Sequence, residues 1–363
     1  RKAKVKNPLM LLDEIDKVSN DYRSDTSSAL LEVLDGEQNS HFVDHYIDMP
    51  VDLSEILFIA TANDLSEVSR PLLDRMEIIE VSSYTKNEKL HIAKEHLVAK
   101  QLKKNGLTKK SVRFTDKALA KIIDGYTMEA GVRELERMIA AVLRKVVRKN
   151  YTVGGVNIEK QIVITDKNLS EYLGKVKFIK EKASRKNEVG IVRGLAWTAA
   201  GGDTLEIEVN VLGGKPELIL TGNMGDVMRE SAQIALSYVR SVVRKNQIFE
   251  ENAIHIHIPE GAVPKDGPSA GITMATAIYS AVTGKPVDAS TAMTGEVTLR
   301  GRVMPIGGLK EKLLAAKTAG LKRVLVPLEN KSDVEELEEE IVQGLEIVYV
   351  SDMKEVLKLA IVK

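Results

Sequence analysis

The 363-residue chain balances 52 lysines and arginines against 52 aspartates and glutamates, with 44% hydrophobic and 29% charged residues. That is the make-up of an ordinary globular chain of two or three domains, with no global bias toward nucleic acid or membranes. No apolar run approaches the ~18 to 20 residues of a membrane helix, and no signal-peptide pattern opens the chain; the absence of cysteine excludes disulfides, cysteine nucleophiles and thiolate metal sites, and fits a reducing compartment.

Leu9 to Leu12, followed by Asp13 and Glu14, reads as a short buried strand ending in two carboxylates. Such a pair coordinates Mg²⁺ and orients an attacking water where parallel strands terminate. A second buried strand, Ile56 to Ala60, leads to Asn63, and Arg75 follows in Pro-Leu-Leu-Asp-Arg. A strand-end amide can sense a γ-phosphate, and an exposed arginine can stabilise transferring phosphoryl charge in a neighbouring subunit. Each residue also has a plainer reading as a surface acid, a turn asparagine or a salt-bridged arginine. The chain contains no Gly-x-x-x-x-Gly-Lys-[Ser/Thr]. The phosphate-cradling loop is therefore expected upstream of Arg1, which makes the chain a fragment that does not hydrolyse ATP alone.

From Thr85 the pattern turns helical. Thr85-Lys-Asn-Glu88 is a capping-box signature opening a helix through His96, and Thr115 starts another. A third begins at Gly131 and runs to Lys149, with Arg133 in its first turn, where a cation opposes the helix dipole. That misfit hints at an anion-binding role, while the basic exposed face reads as solvated surface. A strand, 161–165, and a short helix, 166–173, close this region, and the lysine-rich segment 175–187 reads as a linker.

The remainder alternates strands and helices: strands over 191–198, 204–212 and 218–221, a helix over 225–243, then the alternating strand Ile254-His-Ile-His-Ile. It places His255 and His257 on one face, so a Ser-His-Asp triad or a two-histidine metal site has to be weighed; no convincing third metal ligand is present. Gly-Pro precedes Ser269, and the apolar residues after it read as a helix opened by proline, which sets Ser269 at a helix N-terminus. Unpaired amides and the positive end of the dipole suit both a nucleophile and an oxyanion there, and equally a plain helix cap. In the helix from Leu309 to Gly320, Lys312 projects among Leu309, Ala316 and Ala319, while Lys310 and Lys317 project to another side. Burial would favour the neutral amine that a general base needs; a snorkelling structural lysine fits the same spacing.

These segments together resemble the C-terminal portion of the Lon protease (endopeptidase La) family over essentially the whole chain. Pro264-Lys-Asp266-Gly-Pro-Ser269-Ala-Gly, Met293-Thr294-Gly-Glu296 and Pro305-Ile-Gly-Gly-Leu-Lys-Glu-Lys312 carry the likeness, with Leu-Leu-Asp13-Glu14-Ile-Asp, Ala-Leu-Leu-Glu-Val-Leu-Asp-Gly-Glu-Gln-Asn39, Glu-Ala-Gly-Val-Arg133 and Gly194-Leu-Ala-Trp197-Thr. The resemblance implies Ser269 as nucleophile, Lys312 as its base, Thr294 as a hydrogen-bond partner of the lysine and Asp266 as the acidic residue beside the nucleophile. It implies Walker B roles for Asp13, the Mg²⁺ ligand, and Glu14, a first sensor at Asn63, an arginine finger at Arg75 and a second sensor at Arg133. His255 and His257 become structural.

The fold class implied is multi-domain: the later part of an AAA+ α/β subdomain over 1–82, a helical small subdomain over 83–174, the linker, and an α+β proteolytic domain over 188–363. The family is an ATP- and Mg²⁺-dependent serine endopeptidase that forms hexameric rings, degrades unfolded or damaged proteins in the bacterial cytoplasm or the mitochondrial matrix, and in some cases binds DNA. The dyad itself requires no cofactor. The alternatives are a non-catalytic Lon-like domain of a DNA-handling ATPase, and a chaperone or unfoldase. One departure stands out: Arg23-Ser-Asp-Thr-Ser-Ser28 replaces an expected Gly-Asp-Pro in a loop that faces the central pore in related ATPases.

Overall fold

The computed structural model describes residues 3–18, 26–44, 46, 48–152, 155–156, 158, 160–178, 186–198, 201–243 and 247–362. Two compact units divide it, Arg1–Ser82 and Ser83–Lys363. Residues 23–25 of the departing loop lie outside the described residues, as do 19–22 before it, and Thr26 to Ser28 open a helix.

In the first unit, strand β1 (Leu9–Leu12) pairs in parallel with β2 (Leu57–Ala60), from Leu9 opposite Leu57 to Leu12 opposite Ala60. Helices α1 (Thr26–Leu34) and α2 (Arg70–Leu73) pack with Leu12 and Ala60 around the buried trio Ile15, Val68 and Leu72. The apolar runs lead one to expect both strands to be buried, and the structure corrects this: Leu9 is 59% and Leu57 61% exposed. An apolar run is buried only when helices cover both faces of the parallel pair, and the described residues of this unit cover one.

The second unit opens with α3 (Lys86–Ile92), which continues through one π-helical turn into α4 (Val98–Lys104). The capping box at its start is formed: Thr85 Oγ1 accepts from the Glu88 amide at 3.2 Å, and Glu88 Oε2 accepts from the Thr85 amide at 2.7 Å. Strands β3 (Val112–Phe114) and β4 (Ile162–Ile164) pair in parallel, and α5 (Asp116–Gly125), α6 (Arg133–Lys149) and α7 (Leu169–Leu173) complete a helical core around Leu119, Ile122, Leu135 and Leu143. The segment read as a linker is anchored at its start, because Lys177 and Phe178 donate their amides to the Gly125 carbonyl; residues 179–185 lie outside the described residues.

A seven-stranded mixed sheet organises the rest. Its members are β5 (Ile191–Thr198), β6 (Gly201–Gly213), β7 (Leu218–Thr221), β8 (Asn252–His257), β9 (Thr291–Met293), β10 (Arg323–Pro327) and β11 (Glu346–Val350), in the order β7-β8-β6-β5-β9-β10-β11. Only β6 runs against its two neighbours. Side-chain alternation divides the core in two. Val192, Ile207, Ile256, Met293 and Leu325 face α8 (Asp226–Val242), α9 (Gly271–Thr283) and α12 (Met353–Ala360). Leu195, Ala292, Val324 and Val326 face α10 (Leu309–Thr318) and α11 (Glu339–Val342). Helices thus cover both faces of the sheet, and α9 and α10 lie on opposite sides of it.

Candidate active site

The two residues that follow β9 tie down the turn carrying Ser269. Gly295 donates its amide to the Ser269 carbonyl at 2.8 Å, and Thr294 donates its hydroxyl to the same oxygen at 3.4 Å. Thr294 is fully buried, with its own amide donated to the Leu325 carbonyl of β10 at 3.1 Å. Ser269 occupies the middle of a single 3₁₀ turn, Pro268–Ala270, that runs into α9. The cap positions of that turn and of α9 are Gly267 and Ala270, so Ser269 is not itself the cap residue of either helix.

Lys312 reaches the same end of the sheet from the other face. Gly308, at a φ of 67°, precedes α10 and lies against Trp197 of β5. Because Gly194 of β5 pairs with Met293, Trp197 lies beyond the carboxyl end of β9, and the first turn of α10 faces the edge that holds Ser269. Gly202 of β6 pairs with Trp197 and passes so close to α10 that a β-carbon would lie 1.9 Å from the Glu311 carbonyl oxygen. Lys312 is 3% exposed, buried in the same helix as Leu309 and Ala316, whose helical spacing puts them on its side. Lys310 instead pairs with Glu338 at 3.5 Å, and Lys317 donates to the Glu340 carbonyl. Burial pushes the Lys312 amine down to about 8, against the opposing charge of Glu311. Among the described residues no hydrogen bond joins Lys312 to Ser269; general bases commonly close onto their partners only when substrate is bound.

Asp266 does not reach toward the lysine. Its Oδ1 accepts from the Met228 amide at 2.9 Å and the Gly267 amide at 2.8 Å, capping the first turn of α8. Gly225 makes room, since a β-carbon there would meet the Asp266 carboxyl carbon at 2.4 Å. Lys265, to which no role falls from the sequence motifs, is 7% exposed and donates to the carbonyls of Glu260 at 2.7 Å and Val263 at 3.1 Å. Its burial lowers its basicity. A buried lysine that ends on two carbonyls is a brace for the loop before Ser269, and only its position directly before Asp266 points to it. His255 and His257 share one face, as their alternation indicates, and one ring nitrogen of each, His255 Nε2 and His257 Nδ1, meets Thr221 Oγ1, at 2.9 and 2.8 Å. Among the described residues no group of three or more metal-ligating side chains is assembled.

In the first unit, Asp13 and Glu14 follow β1 and are exposed, and Thr61 donates its hydroxyl to Asp13 at 2.5 Å. Glu14 adopts a left-handed backbone with φ 57° and donates its amide to the Thr61 hydroxyl at 3.0 Å. Asn63 is exposed just past β2. Arg75 turns back on its own unit, bonding Asp35 at 3.0 Å and the Pro71 carbonyl at 2.9 Å. The Glu37 amide and this arginine hold the Asp35 carboxyl below its ordinary range. In the second unit Arg133 begins α6 and is exposed, while the Glu129 carboxylate accepts the Glu134 and Leu135 amides at 2.8 and 2.7 Å.

The second unit thus combines a helical core with a mixed sheet covered by helices on both faces, and the first carries a parallel strand pair that ends in acidic residues. Residues 163–363 match the model of the Lon protease (S16) C-terminal proteolytic domain, 103–155 that of the Lon protease AAA+ ATPase lid domain, and 1–84 that of the ATPase family associated with various cellular activities. The chain is 59% identical to the Lon protease of Lachnoclostridium phytofermentans, 57% to that of Bacillus thuringiensis and 54% to Lon protease 1 of Bacillus subtilis. All of this chain aligns in each case, with 50%, 46% and 47% of the relative. The chain belongs to the Lon protease family, and it spans about half the length of the curated relatives it matches.

Proposed function

We propose that this chain forms the proteolytic half of an ATP-dependent serine endopeptidase, with Ser269 as nucleophile and Lys312 as general base. The observation that carries this reading is the burial of Lys312 at 3% exposure, which shifts its amine toward the neutral form at the sheet edge where Ser269 starts a helix. The neutral amine takes the Ser269 proton as the oxygen attacks the scissile carbonyl. Amides at the start of α9 stabilise the oxyanion. The ammonium then protonates the leaving amine, and water hydrolyses the acyl-enzyme. Thr294, expected to bond Lys312, instead donates its hydroxyl to the Ser269 carbonyl, and with Asp266 it supports the site by fixing the segment around Ser269.

For the ATPase part we assign 1–82 to the later AAA+ α/β subdomain, 83–174 to the helical lid, 175–187 to the linker and 188–363 to the proteolytic domain. Asp13 would hold the Mg²⁺ of Mg-ATP, which suits its exposed carboxylate at the carboxyl end of β1. Glu14, Asn63, Arg75 and Arg133 take the roles of water-orienting acid, first sensor, arginine finger and second sensor; for Arg75 this means leaving Asp35. ATP hydrolysis supplies the work of unfolding a protein substrate. We place the protein in a bacterial cytoplasm, in keeping with the bacterial relatives, and assembly as a hexameric ring is proposed on the family resemblance alone. No described helix is long and apolar enough to cross a membrane.

Ser269→Ala and Lys312→Ala are each expected to lower the cleavage of a fluorogenic peptide by about a thousandfold or more with the circular dichroism spectrum unchanged. Near-normal cleavage by either variant would show the nucleophile or the base to be misassigned.

A further inference from the structure

The helical subdomain reaches the helix that carries Lys312. Ser83, where the chain enters the second unit, donates its hydroxyl to Glu311 Oε1 at 2.8 Å. Asn87, in the first turn of α3, donates to Glu340 Oε2 at 3.2 Å, and Lys317 of α10 donates to the Glu340 carbonyl. The segment entering α3 therefore holds the first turn of α10 directly, through Ser83, and α3 itself reaches the last turn of α10 through α11. Glu311 directly precedes Lys312 in that first turn, where a carboxylate complements the positive end of the helix.

The surrounding charges leave Glu311 in a special position. On α10, Lys310 is paired with Glu338 and Lys317 with the Glu340 carbonyl. On β5, Arg193 is paired with Glu206 at 2.5 Å. On β6, Asp203 acts on Lys265. On α11, Glu339 and Glu340 lie at the helix end next to Lys317, and on the helix Lys331–Glu335, Lys331 pairs with Glu335 at 3.7 Å. Across the site, Asp266 is bound to the Met228 and Gly267 amides. Glu311 is the charge that acts on the buried amine.

We propose that Ser83 is a positioning residue for the base: it holds the Glu311 carboxylate in one place, and so makes the local field at Lys312 depend on the seating of the helical subdomain against α10. The proposal rests on the Ser269–Lys312 reading. The Ser83 hydroxyl offsets part of the carboxylate's charge by donating to it; without that donor Glu311 presents more of its charge to the adjacent ammonium, which raises the amine's pKa. The protonated, inactive form would then persist to higher pH.

The test is the pH profile of kcat/KM for a fluorogenic peptide. Ser83→Ala is expected to move the acidic limb up by roughly half a unit, costing about threefold in rate below the midpoint. Glu311→Gln should move the limb the opposite way, and Ser83→Thr, which keeps the hydroxyl, should restore the parent profile. In the Glu311→Gln background, Ser83→Ala should add no shift, because Ser83 acts through that carboxylate. A Ser83→Ala profile that superimposes on the parent, or a shift that persists in the Glu311→Gln background, overturns the proposal. Inactivity of Ser269→Ala alongside an unmoved Ser83→Ala profile defeats only the coupling. Cleavage retained by Ser269→Ala removes the dyad reading and the coupling with it.

Discussion

The strand pair of residues 1–82 and the seven-stranded sheet after residue 190 are built from similar apolar runs with very different outcomes. In the first, Leu9, Leu11, Leu57 and Ile59 are between 43% and 61% exposed, and the buried core is Ile15, Val68 and Leu72. In the second, β10 carries Val324, Leu325 and Val326 at 0%, because helices press on both faces. Each side chain so enclosed contributes roughly 1.5 to 3 kcal/mol relative to exposure. The largest fully buried side chains, from Tyr126 to Ile256, all belong to the second unit. The open face of β1 and β2 is that of the residues present, in a chain spanning about half the length of its relatives, whereas both faces of β10 are enclosed within this chain.

This contrast can be broken most severely at Gly202. A β-carbon there meets the backbone of α10 at 1.9 Å, where neither chain can yield cheaply. Gly202→Ala is expected to cost about 3 kcal/mol or more, seen as a lower melting transition of the second unit while the first is unmoved. Two transitions that fall together would show that the two units unfold as one.

Lys312 is the exception within the well-covered unit. Its amine is lowered from 10.5 to about 8 by burial, so between those values the unfolded chain binds more protons than the folded one. Stability from this residue therefore rises as pH rises through that window, and below pH 8 the fold carries a buried ammonium at a cost of about 3 kcal/mol. Lys312→Met should raise the melting temperature at pH 7 and flatten its rise between pH 8 and 10, while abolishing peptide cleavage. A melting temperature lowered by the substitution would mean that the ammonium is better accommodated than its burial implies. In the parent protein kcat/KM should rise with pH to a plateau above about 8, where the amine is neutral.

The smallest effect is expected in the first unit. The Arg75–Asp35 pair at 3.0 Å lies near the surface, so Arg75→Ala should leave the melting temperature nearly unchanged. A larger loss on thermal melting would give this ion pair a structural weight comparable to the small core beside it.

Much of the proteolytic region is legible in the amino-acid sequence. Strands 191–198, 218–221 and 323–327 fall where their apolar patterns put them, and the capping box at Thr85 forms as its residues indicate. Local rules suffice there because hydrogen-bonding and burial patterns repeat within a few residues. The helical phase of Lys312 is legible for the same reason: a period of 3.6 separates it from Lys310 and Lys317. Asp266 is not legible in this way. Its carboxylate turns to the amides of α8, 38 residues earlier in the chain at Met228, and spacing carries no information on which helix start will lie within reach.

Residue type and period alone thus account for the helices, the strands, the face on which each lysine stands and the presence of a serine at a helix start. Packing decided the rest. The edge where α9 and α10 present Ser269 and Lys312 exists because Gly202 lets α10 settle on β6 and because Gly295 and Thr294 bind the Ser269 carbonyl. The basicity of Lys312 depends on water excluded by Leu309 and Ala316 within its helix and by the sheet beneath. Desolvation is a property of everything that surrounds a group, so it becomes defined only when distant segments have closed around it.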